Sequence, residues 1–78
     1  MTDLQNHKKS LVDILPGREA RVLDYDGLGI KQIESLQAYG LAPGRLVKVI
    51  RHKPVTIIQI DNTEIALEHT LAIHIKVE

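Results

Sequence analysis

Cysteine is absent from the chain, so disulfide staples and thiolate metal sites are excluded and a small secreted scaffold is not expected. Aromatic residues are almost absent as well: Tyr25 and Tyr39 are the only two among 78 residues. The core must therefore be built from Leu, Ile and Val, and the β-branched members of that set suit a pleated, half-buried surface. No apolar run approaches the ~20 residues needed to span a bilayer. The first ten residues carry Asp3, Lys8 and Lys9 with no apolar stretch behind them, which does not fit a signal peptide. A cytoplasmic location is expected. Ten basic and ten acidic side chains cancel, so the basic excess that drives nucleic-acid binding through counterion release is missing.

Catalytic motifs are missing too. Ser10 and Ser35 are the only serines and neither lies in a Gly-x-Ser-x-Gly elbow. The glycines at 27, 29, 40 and 44 are not followed by the Lys-Ser or Lys-Thr of a phosphate-binding loop. The chain is read as non-enzymatic.

What is present is one helix and a series of short strands. Residues 1–10 are polar and predict a flexible tail, leaving 11–78 for a single domain. Leu11, Val12, Ile14 and Leu15 lead into the Pro16-Gly17 turn. Arg18 to Tyr25 alternates as a strand. Ile30, Ile33 and Leu36 recur at a spacing of three and predict a helix from Ile30 to Tyr39. Gly40 stands where a left-handed residue closes a helix, and Leu41 is placed to fold back on Leu36 as a Schellman cap requires.

Beyond Pro43-Gly44 the period becomes two. Strands are predicted over Leu46–Ile50 and Val55–Ile60. The dipeptide Asp61-Asn62 has two-residue hairpin chemistry, which puts Ile58 opposite Ile65 and predicts a returning strand over Thr63–Leu67. Strict alternation of Leu71, Ile73, Ile75 and Val77 predicts a last strand. About five strands with one helix between the first and second make a mainly β domain, a small barrel at this length. An SH3-like barrel fits, with an OB fold as the competitor.

The run Gly40-Leu41-Ala42-Pro43-Gly44, followed by Val47, Val49 and Pro54, resembles the "GL-x-PG-x-x-V-x-V" segment of FeoA domains. Leu11, Leu15, Pro16 and Gly17 are similar to that family's opening "L-x-x-L-x-PG". Ile65, Ala66 and Leu67, then Ala72, Ile73, Ile75 and Val77, look like its closing strands. The resemblance covers roughly residues 11–77. It implies an SH3-like barrel that works beside FeoB, the ferrous iron permease with a cytosolic GTP-binding domain. Related domains also occur at the ends of metal-dependent repressors of the diphtheria-toxin-repressor type, so the alternative it implies is a regulatory domain that binds a divalent transition metal directly. The chain is shorter than many members between Pro54 and Ile58.

Candidate sites follow from this. SH3 domains proper grip Pro-rich helices on stacked aromatics, which two tyrosines cannot supply. Metal candidates are His7, His52, His69 and His74, with Asp24, Asp26, Glu64 and Glu68. None forms a helical His-x-x-x-His pair, and a histidine at the surface or partly buried without metal explains each one. Ferrous iron or another divalent ion is at most a weak ligand, and no resident cofactor is expected. His74 alternates away from Ile73 and Ile75, which predicts a solvated ring. Arg45, Lys48, Arg51, His52 and Lys53 give a basic run. Counting along a strand, Arg45, Arg51 and Lys53 share one parity and Lys48 and His52 the other. The run reads either as a strand edge protected by charge or, together with Tyr39, as an electropositive rim for an acidic protein partner.

Overall fold

A computed structural model describes residues 9–78. Among the described residues six strands form one antiparallel sheet: β1 (Lys9–Ser10), β2 (Glu19–Tyr25), β3 (Leu46–Arg51), β4 (Thr56–Ile60), β5 (Thr63–Leu67) and β6 (Ile75–Val77). Their order is β1-β6-β2-β3-β4-β5. A helix, α1 (Ile30–Ala38), joins β2 to β3, and a single turn, α2 (His69–Ala72), precedes β6. A 3-10 turn over Leu11–Asp13 follows β1.

β2 belongs to both ends of the sheet. Its first half, Glu19 to Arg21, pairs with β3, and its second half, Val22 to Tyr25, pairs with β6. The register slips between Val22 and Asp24, a bulge that raises the local twist and lets one strand serve two ladders. Alternation then fills the interior: Ala20, Val22, Val47, Val49, Ile58, Ile60, Leu67, Ile75 and Val77 are all buried, joined by Leu11, Leu36, Leu41 and Ala72. No aromatic ring is fully buried, although Tyr25 packs against the cluster.

The predicted hairpin is observed in register. Ile60 pairs with Thr63 and Ile58 with Ile65, so Asp61-Asn62 is a two-residue loop. Only Asp61 takes the left-handed conformation, at φ 55°. The predicted helix stop is also observed. Gly40 sits at φ 98°, Leu41 N–H donates to the Leu36 carbonyl at 2.9 Å, and Gly40 N–H donates to the Gln37 carbonyl at 3.0 Å. These two bonds define a Schellman cap, and the Leu36–Leu41 pair beneath it is buried.

Three expectations need correction. The tail does not extend to Ser10: Lys9 and Ser10 pair with Val77 and Lys76, and Ser10 is 2% exposed. Its backbone N–H donates to the Asp13 carboxylate at 2.9 Å, which starts the 3-10 turn. The remainder of the predicted tail lies outside the described residues. The strand expected from Leu71 begins only at Ile75, because the Leu71 and Ala72 N–H groups both donate to the Glu68 carbonyl and close a helical turn. The buried residue of that turn is Ala72, not Ile73. The helical stripe is shorter than predicted: Leu36 is buried, Ile33 half-buried, and Ile30 76% exposed.

Candidate functional site

Of the basic run, Arg45 comes together with Tyr39 once the chain is folded. The Schellman cap turns the chain so that Tyr39, at the C-terminal end of α1, faces the β4–β5 hairpin across a groove of about 410 Å³. Ile60 and Ile65 contribute the apolar lining, and Gln37, Arg45 and Asp61 stand at its polar margin. Tyr39 is 59% exposed. The Arg45 guanidinium donates to the Asp61 carboxylate at 2.9 Å, both side chains being well exposed. Asp61 therefore shapes the hairpin and places a charge on the groove's edge. Arg45 and Asp61 lie sixteen residues apart, so the pairing follows from register and not from local sequence.

The chain segment that follows α1 is held by side chains of β2. Tyr25, at the end of β2, donates its hydroxyl hydrogen to the Leu41 carbonyl and also meets Gln37 of α1. Burial raises the Tyr25 hydroxyl above its ordinary value of 10.0, with the Gln37 hydrogen bond acting in the opposite direction. Arg21 donates to the Gly44 carbonyl at 2.8 Å and fixes the turn that leads into β3.

Lys48 and Arg51 fall on one side after all. The β3–β4 register shifts between Val49 and Arg51, so Lys48 pairs with Gln59 and Arg51 with Ile57. Gln59 and Ile57 are two residues apart and share a face, which places Lys48 and Arg51 together on the outer face. The parity count predicted otherwise, because it had no bulge at Ile50. Lys48 also stands opposite Glu19 of β2, so part of its field is offset. Lys53 is exposed in the β3–β4 connection, where the Lys53–Pro54 bond is cis.

The metal candidates disperse. Among the described residues no three His, Asp or Glu side chains converge on a common point. His7 lies outside the described residues. Both ring nitrogens of His52 are engaged: Nε2 donates to the Ile14 carbonyl at 2.7 Å, and Nδ1 accepts from the buried Thr56 hydroxyl at 3.0 Å. His69 donates through Nε2 to the His52 carbonyl at 2.6 Å. The two rings lie 6.3 Å apart beside Val12 and Ile73. His74 is half-buried rather than solvated, because its ring packs on Gly27, where a Cβ would come within 3.2 Å of Nδ1. Asp26 lies 4.0 Å from the Lys76 ammonium, and Glu64 and Glu68 are exposed on β5 and before α2. Asp24 already has an interaction partner. His52 is thus a clasp between the 3-10 segment and β4.

Comparison with known proteins agrees with this architecture. No curated protein sequence matches the chain. A crystal structure of an iron uptake regulatory protein (FeoA) is 25% identical, with a TM-score of 0.82 over 92% of this chain and 96% of that one. The solution structure of iron(II) transport protein A from Clostridium thermocellum is 28% identical, with a TM-score of 0.77, covering 88% of this chain and 44% of that one. FeoA of Stenotrophomonas maltophilia, crystallised with zinc and described as a procaryotic SH3 domain protein, is 21% identical with a TM-score of 0.75, covering 88% of each chain. The fold is therefore the SH3-like barrel expected from the sequence, with β1 as an additional short strand. A family model for the FeoA domain matches residues 9–78, beginning at the first residue of β1. By that match over nearly its whole length, the chain belongs to the FeoA domain family.

Proposed function

We propose that this domain is a non-enzymatic accessory module of bacterial ferrous iron uptake, acting in the cytoplasm on the cytosolic GTP-binding region of a FeoB-type permease. Family membership supports the link to ferrous iron transport. The observation that carries the docking reading is the groove at the end of α1. There an exposed Tyr39, an apolar lining from Ile60 and Ile65, and the Arg45 guanidinium meet on one surface. Tyrosine and arginine around an apolar centre are the residue types that most often anchor protein interfaces. Lys48, Arg51 and Lys53 extend positive charge beyond it, which favours an acidic partner surface and speeds encounter.

An amide chemical-shift titration with the GTP-binding domain of the same organism's FeoB tests this reading. Shifts are expected at Gln37 to Gly40, Arg45 and Asp61 to Ile65. The double substitution Lys48→Glu, Arg51→Glu should weaken binding several-fold without changing the folded spectrum. Binding that is unaffected by that reversal and by Tyr39→Ser would remove the proposed surface. The alternative, a domain that responds directly to a divalent metal, predicts something else: anaerobic ferrous iron alone would shift residues near His52, His69 or Asp26.

A further inference from the structure

The two margins of the sheet are unequal. Among the described residues β1 forms one margin with two residues and carries Lys9, the kind of charged edge that resists pairing. β5 forms the other with five residues, no proline, no lysine and a single charge at Glu64. Its five pairs with β4 run without a bulge, whereas the β2–β6 and β3–β4 ladders are each interrupted. Apart from the charge of Glu64, β5 has none of the usual devices that keep an edge strand from adding another.

The hairpin fixes which groups face outward. Ile60 and Thr63 flank a two-residue loop and so form a hydrogen-bonded pair, after which bonded and non-bonded pairs alternate. Thr63, Ile65 and Leu67 therefore direct their backbone groups to β4, and Glu64 and Ala66 direct theirs away from it. Among the described residues no other hydrogen bond involves the backbone of Glu64 or Ala66.

We infer that β5 is a self-association edge, and that a second copy of this chain pairs with it antiparallel about a two-fold axis at Ile65. In that register Glu64 lies opposite the second copy's Ala66, and the reverse. All four outward N–H groups then find the four outward carbonyls. The two glutamates are never directly opposed, and the chain's zero formal charge adds no net repulsion between copies. Ile65 meets Ile65 of the second copy as a non-bonded pair, on the face where Ile65 already lines the open groove. A register moved by one residue on one strand would oppose unlike faces. A centre at Glu64 would oppose the two glutamates, and one at Ala66 would pair Glu64 with a residue beyond β5, so Ile65 is the centre that pairs every outward group within the strand.

Sedimentation of the full chain across a concentration series is the test, with two sets of variants. The wild-type mass should approach twice that of the 8.7 kDa chain as concentration rises. Ala66→Pro, which removes one outward N–H and no bond to β4, should remain monomeric with a native spectrum. Because the chain lacks cysteine, Ile65→Cys provides a single thiol that the two-fold axis would bring to roughly 4.5 Å between Cα atoms, within disulfide range. Mild oxidation should link it. Thr63→Cys, whose symmetry mate lies roughly 14 Å away along the ladder, should stay unlinked. A wild-type chain that remains monomeric, or a dimer that survives Ala66→Pro, overturns the inference. If Ala66→Pro fails to fold, the cysteine pair decides: equal linking at both positions, or none at either, also overturns it.

Discussion

Strands β3, β4 and β5 bury Val47, Val49, Ile58, Ile60 and Leu67 in a continuous layer. By contrast α1 buries Leu36 alone and leaves Ile30 and Tyr39 in solvent. The first region is held by area, with many side chains sharing the load. The second is held at one end by discrete contacts: Leu36 on Leu41, the two Schellman bonds, and the Tyr25 hydroxyl on the Leu41 carbonyl. A helix anchored at its C-terminus and exposed at its N-terminus can keep Tyr39 in a fixed place while contributing little to the core.

Substitutions in the strand layer should do more damage than those around the helix. Ile58→Ala, in the middle of the strand layer, should cost about 3–4 kcal/mol by chemical denaturation, since a wholly buried aliphatic side chain is removed and the site can collapse only in part. A loss below ~1 kcal/mol would mean that the layer is not the core. His52→Leu should cost about 2 kcal/mol, because it strands the buried Thr56 hydroxyl and the Ile14 carbonyl. If His52 were a surface residue or a metal ligand, apo stability would hardly change.

Substitutions around the helix should have smaller effects. Gly40→Ala should cost ~1 kcal/mol through backbone strain alone: the new Cβ would rest at 3.6 Å from Ile60, an ordinary contact, while φ stays positive. Tyr25→Phe should cost ~1 kcal/mol at neutral pH. It should also remove a pH dependence. Because the folded hydroxyl holds its proton above the ordinary value of 10.0, its contribution is complete below pH 10 and falls as pH rises through the folded value. Wild type and variant should therefore converge in alkaline solution; parallel curves would mean that Tyr25 does not anchor the helix end. Ile30→Ser should leave stability within ~0.5 kcal/mol of wild type.

The sequence carried the elements whose cause is local. Gly40 and the Asp61-Asn62 turn act over a few residues, so the helix stop and the Ile58–Ile65 pairing could be read directly. Strand β1 could not, since two residues become a strand only when Val77 and Lys76 arrive from the far end of the chain. The alternation of Leu71 and Ile73 pointed to a strand, but a single helical turn is too short to impose a period of its own. Bulges at Leu23 and Ile50 leave no mark on a polarity pattern, which is why Lys48 and Arg51 appeared to part company. Of the groove, Tyr39 and Arg45 were legible as types. Their meeting with Asp61 and Ile65 depends on the tertiary path.

One feature of the topology governs when this domain can form. Strand β6 lies between β1 and β2, although it is the last strand to be made. During synthesis the β2–β3–β4–β5 portion can assemble in order, but the edge of β2 that β6 will cover stays bare until Ile75 to Val77 have emerged from the ribosome. The domain therefore completes its fold only after all its strands have been translated, and a nascent chain halted before Ile75 presents an unfinished sheet to chaperones and proteases.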